Sequence, residues 1–149
     1  MAVKVKYTYH IDLTQSEETL LANLSSEKRK SLNKAKSDNL EIVLESDMEK
    51  VKQVILKTFS RKQISKNVEY FNKILFDFAT EKNSFAFVAY QNGKAIASTF
   101  CVYDGNRAYY LFGGYDSESR HHGAGVSCMR QSILFAKQKG LNIFDFEGS

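Results

Sequence analysis

The chain has 149 residues, of which 43% are hydrophobic and 26% charged, and it carries a formal net charge of +4. This length supports one domain with its own core, and the composition excludes a disordered or fibrous chain. No apolar run approaches the roughly 20 residues of a membrane-spanning helix and no signal-peptide pattern opens the chain, so the sequence predicts a cytoplasmic protein without membrane insertion.

The N-terminal part of the chain predicts two strands with helices between them. Residues 7–13 alternate between apolar and polar side chains, which predicts a strand. Thr14 and Glu17 have the spacing of a capping box at a helix start, and a second helix is predicted to begin at residues 25–26. A short strand at 40–45 follows.

The middle of the chain changes from a helical to a strand pattern. Ser46 and Glu49 predict a third helix that starts with a capping box, and apolar spacing predicts a fourth helix over 67–81. Three strand-like runs fill residues 84–115 and are joined by Asn-Gly and Asp-Gly steps, which favour hairpin turns of type I′. This segment therefore predicts an antiparallel meander.

The last part predicts a helix over 124–139, ended by Gly140, and a strand over 141–147. A strand reached through a helix usually lies parallel to the strand before that helix. We therefore expect an α+β fold with a mixed sheet, in which a central antiparallel meander and a parallel last strand are flanked by helices. Cys101 and Cys128 lie in apolar surroundings and are expected to be buried thiols.

Residues 113–125, GGYDSESRHHGAG, form a glycine-containing cationic turn between the predicted meander and the next helix. Within it, Arg120, Gly123 and Gly125 spell R-x-x-G-x-G. Amides and the positive dipole end converge at a helix start, and glycine lets a ligand approach, so the pattern suits a phosphate or diphosphate. The spacing fits neither a Rossmann site nor a P-loop. The alternative is an ordinary strand–helix connection that uses glycine for its geometry.

This pattern resembles the acyl-CoA pyrophosphate loop of the GNAT N-acyltransferase superfamily. Over residues 8–42, 108–116 and 136–149, the chain is similar to the branch that contains the Fem-type peptidoglycan aminoacyltransferases and related acetyltransferase-like domains. The resemblance implies a GNAT-like sheet that splays toward its last strand. GNAT domains normally continue beyond that strand, so it also implies a single domain of residues 1–149 that is truncated at its C-terminus, or is one half or a fragment of a larger tandem protein.

The resemblance further implies a co-substrate, acetyl-CoA or another acyl-CoA, in the splay. An amide near Gly114 would stabilise the carbonyl oxyanion. The residues implied for the acyl and pantetheine part, through their backbone groups, are Phe112, Gly113, Gly114 and Tyr115. Those implied for the pyrophosphate, through their amides, are Arg120, His121, His122, Gly123, Ala124 and Gly125.

Two carboxylates are the candidates for a general base or an amine-binding group. Asp145 and Glu147 stand two residues apart on one face of the last predicted strand, unless that end of the chain is frayed and exposed. His121 and His122 are adjacent and point in different directions, so they make a poor metal pair. We expect these histidines to be exposed or at the edge of a ligand, and we expect no metal.

Three functions stay open. The first is acyl transfer from acyl-CoA to an amine acceptor, which is a small molecule or a cell-wall precursor. The second is Fem-like transfer from aminoacyl-tRNA to a peptidoglycan precursor; a basic helix would then contact RNA instead of being a solvated face. The third is a non-catalytic module of the acyltransferase fold, and a homodimer also stays open. The cations of the basic helix are Lys28, Arg29, Lys30, Lys34 and Lys36.

Overall fold

The computed structural model describes residues 9–58, 68–119, 121 and 123–147. The described chain combines helices with a mixed sheet whose central strands follow one another directly, as in an α+β fold, which confirms the predicted class. The elements are β1 (His10–Asp12), α1 (Glu17–Ala22), α2 (Ser26–Ser37), β2 (Glu41–Leu44), α3 (Met48–Thr58), the π-helical α4 (Lys73–Phe78), β3 (Ser84–Gln91), β4 (Lys94–Tyr103), β5 (Arg107–Tyr115), α5 (Gly123–Gln138) and β6 (Ile143–Asp145).

The strands form one six-stranded mixed sheet in the order β1-β6-β5-β4-β3-β2. β3, β4 and β5 make the predicted antiparallel meander, and β5 and β6 make the predicted parallel pair. β1 pairs antiparallel with the outer edge of β6, which the sequence did not predict. The beginning and the end of the described chain therefore lie side by side at one edge of the sheet.

Local turn chemistry explains where several elements end. Asn92 and Gly93 have φ values of 51° and 81°, as a type I′ turn requires, and Gly140 ends α5 with a φ of 84°. The predicted type I′ turn at Asp104-Gly105 is wrong, because Gly105 has no positive φ. There the Asp104 carboxylate accepts hydrogen bonds from the amides of Asn106 and Arg107, both at 2.8 Å, and holds the loop.

Both predicted capping boxes are wrong, although the helices exist. The Thr14 hydroxyl donates to Asp12, and the residue that caps α1 is Ser16, which accepts from the Thr19 amide at 3.1 Å. At α3, the Asp47 carboxylate accepts from the Glu49 amide at 3.0 Å. Short polar side chains next to a helix start compete for the same amides, so the spacing alone does not decide which one caps.

The core has two layers, one on each face of the sheet. α5 covers one face, over a cluster that includes Phe87 and Phe144, and α3 with the 68–78 helical segment covers the other, around the stacked rings of Phe100 and Phe112. Cys101 and Cys128 are buried, as predicted. Burial raises the pKa of the Cys101 thiol and raises that of Cys128 to about 12, so neither thiol is a ready nucleophile.

Two features are absent from the described part of the chain. Among these residues, no helix combines the length and the apolar character needed to cross a bilayer. The same residues contain no group of three or more His, Cys, Asp or Glu side chains placed to hold a metal ion.

Candidate active site

The parallel strands β5 and β6 diverge within the sheet. Their pairing ends at Tyr109 and Asp145, whereas β5 continues alongside β4 as far as Tyr115. Beyond Asp145 the chain follows β1 instead, since the Phe146 amide donates to the Tyr9 carbonyl at 3.0 Å. The expected splay is therefore present, and we call it the β5–β6 opening.

The backbone of β5 presents an amide to the β5–β6 opening. The Asp116 amide donates to the Ile96 carbonyl on β4, and the Tyr115 amide donates away from β4, to the Thr58 hydroxyl at 2.9 Å. Because amides alternate along an antiparallel strand, the Gly113 amide is directed to the same side as that of Tyr115. The donor expected near Gly114 is thus better placed at Gly113.

The two glycines of β5 are required by packing. A Cβ on Gly114 would lie 2.6 Å from the Val54 carbonyl oxygen, so glycine lets α3 approach the strand. A Cβ on Gly113 would overlap the hydroxyl of Tyr110. Burial raises the pKa of Tyr110 to about 12, with the nearby thiols adding to the shift, so its hydroxyl stays protonated beside Gly113.

The N-terminus of α5 is occupied by a histidine side chain. His121 is 7% exposed, and its Nδ1 accepts from the Gly123 amide at 3.2 Å while its Nε2 lies 2.9 Å from Asp38 Oδ2. This geometry assigns the ring proton to Nε2, which donates to the carboxylate. The Ala124 amide also points back, to the His121 carbonyl at 3.4 Å. The expectation that His121 is exposed is wrong, because the side chain is buried beside Asp38 at the end of α2, and its place at the edge of a ligand stays a prediction.

Gly123 is in close contact with α2, whereas Gly125 faces open space. A Cβ on Gly123 would overlap the Ser31 carbonyl oxygen and lie 3.1 Å from the Ala35 Cβ, so α2 packs on this end of α5. A Cβ on Gly125 would meet nothing within 4 Å. Of the expected pyrophosphate residues, Gly125 is therefore the one that lies open, and Arg120 and His122 lie outside the described residues.

The side chain of Asp145 is buried where β1, β5 and β6 meet. Its side chain is 5% exposed, and its Oδ2 lies 3.1 Å from Arg107 Nη1 on β5 and 3.3 Å from His10 Nε2 on β1. Its Oδ1 accepts from the Glu147 amide at 2.8 Å. Asp145 is therefore neither frayed nor exposed. The predicted shared strand face is wrong, because β6 ends at Asp145 and Glu147 follows in a left-handed conformation with φ 53°.

A cleft of about 800 Å³ lies between α1, β1 and α5, and we call it the α1–α5 cleft. Gly125 lines it near the start of α5 and Phe146 lines it beside the β5–β6 opening. The apolar lining residues that the sequence analysis did not assign to a site include Leu20, Leu21, Leu24, Val126, Met129 and Ile133. In the sequence these residues form an apolar stripe on each of two helices. Such a stripe is also typical of a helix face that packs on the core, so it does not by itself indicate a cleft.

The exposed face of α2 carries the basic residues noted in the sequence. All five are exposed, as either a solvated face or a face that contacts RNA would be; they are Lys28, Arg29, Lys30, Lys34 and Lys36. Lys34 pairs with Asp38 at 3.3 Å, and Lys28 lines the α1–α5 cleft.

Asp116 anchors the turn that leads from β5 toward α5. Burial by itself raises the pKa of this carboxyl, but hydrogen bonds from the Glu118 amide and from the Lys94 and Lys57 ammonium groups outweigh burial and hold the pKa below its ordinary 3.8. Because the folded state lowers this pKa, the carboxylate stabilises the fold at neutral pH, and that stabilisation is lost as the pH falls through the folded-state pKa.

Asp116→Asn should therefore lower the free energy of unfolding by about 1–2 kcal/mol at pH 7, the size expected for charged hydrogen bonds with partly exposed donors. Urea unfolding at pH 7 and in acid measures the effect, and the difference from the wild type should shrink below pH 4. An equal difference at both pH values would contradict a role of the ionised carboxylate.

This geometry defines a class of protein: an α+β domain whose parallel strand pair opens beside the helix that follows a glycine-containing turn. The model of the acetyltransferase (GNAT) domain family matches residues 24–149, which is most of the chain. The chain belongs to this family. No curated protein matches it.

Solved structures share the fold at low sequence identity. FemX matches with a TM-score of 0.76 and 12% identity, over 95% of this chain and 52% of its own. A conserved protein of unknown function from Bacteroides thetaiotaomicron matches with a TM-score of 0.64 and 12% identity, over 96% of this chain and 50% of its own. A functionally unknown conserved protein from Staphylococcus epidermidis matches with a TM-score of 0.57 and 12% identity, over 95% of this chain and 50% of its own. The chain spans about half the length of these structures, and its fold is GNAT-like and close to that of FemX.

Proposed function

We propose that this domain transfers an acyl group from an acyl-CoA to an amine acceptor. The observation that carries the proposal is the β5–β6 opening, with the Gly113 amide directed into it. Membership of the acetyltransferase family supports acyl transfer in general. In this proposal the thioester carbonyl lies beside Gly113, near the end of β5. The turn at 116–119 holds this end of the strand in place.

The chemistry requires stabilisation of a carbonyl oxyanion. The neutral amine attacks the thioester carbon, the C–N bond forms, and the C–S bond then breaks to release a thiolate, which is an adequate leaving group because a thiol is a far stronger acid than an amine. The oxyanion accepts from the Gly113 amide and from the neutral Tyr110 hydroxyl beside it.

The proton that the amine releases needs an acceptor. We assign this role to Glu147, which is half-buried and follows directly where β5 and β6 part. Asp145 holds the Glu147 backbone through its amide at 2.8 Å and is a positioning residue. The acceptor is a small-molecule amine or a cell-wall precursor.

Acetyl-CoA should raise the melting temperature by several degrees, because a ligand at 100 times its Kd adds about 2.7 kcal/mol to stability and a domain of this size gains about 2–4 °C per kcal/mol. Gly125→Asp should abolish the shift by placing a carboxylate beside the diphosphate, and the open space at this position lets the fold accept it. Gly125→Asn is the uncharged control of nearly equal size and should keep most of the shift. Differential scanning fluorimetry measures all three, and absence of a shift with any acyl-CoA would overturn the proposal.

Aminoacyl-tRNA is the second candidate donor, and one observation favours it. His121 and α2 engage the first amides of α5, at the place where a free diphosphate would otherwise be held, while α2 exposes its basic face. The same assay with tRNA in place of acetyl-CoA distinguishes the donors. Under this alternative tRNA binding should fall with rising salt and with joint neutralisation of Lys28, Arg29 and Lys34, and acetyl-CoA should produce no shift.

A further inference from the structure

The outer side of β2 is an unpaired edge of the sheet. β2 is the last strand in the order β1-β6-β5-β4-β3-β2, and none of the other described strands pairs with its outer side. The Glu45 amide donates to the Ala86 carbonyl on β3 at 2.8 Å. Because amides alternate in direction along an antiparallel strand, those of Ile42 and Leu44 point away from β3. This open row of backbone donors and acceptors is a template for one more strand.

Carboxylates lie along one face of the β2 edge. Glu41 and Glu45 share this face, because side chains alternate along a strand. Burial of the Tyr90 hydroxyl, its hydrogen bond to Glu45, and the charges of Glu45, Asp47 and Glu41 all raise the pKa of Tyr90, so the three carboxylates are close together. One cation faces them, since Lys50 Nζ lies 5.8 Å from the centroid of the Tyr90 ring. The face therefore keeps an excess of negative charge.

The other face of the β2 edge is apolar. Ile42 packs against the core cluster beneath α5, and Leu44 lies two residues further along the same face. Leu44 is 51% exposed, so a strand added at this edge would bury it. The edge is thus complementary to a strand with cations on one face and apolar side chains on the other.

Two copies of β2 do not complement each other. Antiparallel pairing about Val43 would place Glu41 of each copy directly opposite Glu45 of the other, and like charges in that position destabilise a sheet. The carboxylates therefore oppose pairing of β2 with itself, and they favour a basic strand.

The chain contains a segment of the required pattern. Residues 3–7 read Val-Lys-Val-Lys-Tyr and lie outside the described part of the chain. In an antiparallel pair with Lys6 opposite Glu41, Lys4 would lie on the same face, between Glu41 and Glu45. The valines of the segment would then lie on the apolar face, so charge and hydrophobicity match in a single register.

The segment cannot reach the β2 edge of its own copy. β1 and β2 are the two outer strands of the sheet, and at about 4.8 Å per strand spacing they lie roughly 24 Å apart. Residue 7 precedes His10, the first residue of β1, by a stretch that spans at most about 11 Å. Residues 3–7 can therefore meet a β2 edge only when it belongs to a second copy of the chain.

We propose that the outer edge of β2 binds residues 3–7 of a second copy of this chain as an added antiparallel strand. Lys4 and Lys6 pair with the carboxylates, and the valines cover Leu44. β3 and β4 separate this edge from the β5–β6 opening, so the contact does not depend on the proposed acyl transfer. Reciprocal exchange of the segment gives a two-fold dimer, and one-way exchange gives longer assemblies.

Sedimentation velocity of the full chain, over a range of concentrations and at low and high salt, tests the contact. The wild type should associate reversibly, and less so as the salt concentration rises. Glu41→Lys should weaken association about tenfold or more, and so should Lys4→Glu combined with Lys6→Glu. Glu27→Lys reverses an exposed carboxylate of α2, away from the edge, and should leave association unchanged.

A mixture of the two charge-reversed chains separates a lost contact from a lost fold. The Glu41→Lys chain has a basic segment and a more basic edge, whereas the chain with Lys4→Glu and Lys6→Glu is acidic at both places. Neither should associate with itself as the wild type does. Opposite charges meet again when the two are mixed, so the mixture should associate about as strongly as the wild type.

A substitution in the backbone tests whether a strand is added. Leu44→Pro removes an amide that points away from β3, a position at which an edge strand accepts proline, and it should abolish association. Leu44→Val keeps the amide and an apolar side chain and should keep most of it. The proposal is refuted if the wild type stays monomeric at low salt at every concentration, if the charge-reversed chains associate as the wild type does, if their mixture does not associate, or if folded Leu44→Pro associates as the wild type does.

Discussion

Asp145→Ala is expected to lower the free energy of unfolding by about 3–5 kcal/mol, because it removes a buried carboxylate from its charged partner. The carboxylate is 5% exposed and accepts from Arg107, lies beside His10, and caps the Glu147 amide. Removing it leaves the Arg107 guanidinium without its partner and loosens the contact of β1 and β5 with β6. Urea unfolding monitored by circular dichroism measures the loss.

Two controls separate this structural role from a catalytic one. Asp145→Asn keeps the size and one acceptor oxygen, so it should cost less than the alanine variant. Glu147→Gln should leave stability within about 0.5 kcal/mol, as for most surface substitutions, while it reduces acyl transfer if Glu147 accepts the proton. A loss below 1 kcal/mol for Asp145→Ala would show that the three-strand junction does not depend on this carboxylate.

Several elements that depend on neighbouring residues were predictable from the sequence. The Asn92-Gly93 hairpin and the stop at Gly140 each rest on one or two residues with positive φ, so the local sequence decides them. The parallel β5–β6 pair followed from the helix between the two strands. Each of these predictions needed only a short stretch of chain.

Elements that depend on distant residues were not predictable. The pairing of β1 with β6 joins residues 10–12 to residues 143–145, and no local pattern specifies that partner. The capping boxes failed for a different and local reason, because more than one short polar side chain near each helix start can accept from its first amides.

In the candidate site, too, local features were predictable and contacts with distant residues were not. The sequence located the glycine turn and the strand that precedes it, but it could not show that Asp38, 83 positions away, would bind His121 and bring α2 onto the start of α5. It also treated Gly123 and Gly125 alike. One of them is a close helix contact and the other lies open, and only the packing of α2 distinguishes them.

These two glycines should respond in opposite ways to alanine. Gly123→Ala should lower the free energy of unfolding by about 3 kcal/mol, because the added methyl overlaps the Ser31 carbonyl and presses on Ala35 Cβ at 3.1 Å, which α2 cannot relieve without moving. Gly125→Ala meets nothing within 4 Å and should raise stability by about 0.5–1 kcal/mol, since alanine loses less conformational entropy in a helix.

Thermal and urea unfolding of both variants, side by side, measure the difference. The pair has equal chemistry and lies within one helical turn, so helix propensity cannot account for opposite signs. Amide exchange should also be faster in α2 of Gly123→Ala, because the contact that joins α2 to α5 is the one disturbed. If both variants were stabilised, α2 would not be packed on the start of α5, and the first amides of that helix would be open to the diphosphate of a CoA donor.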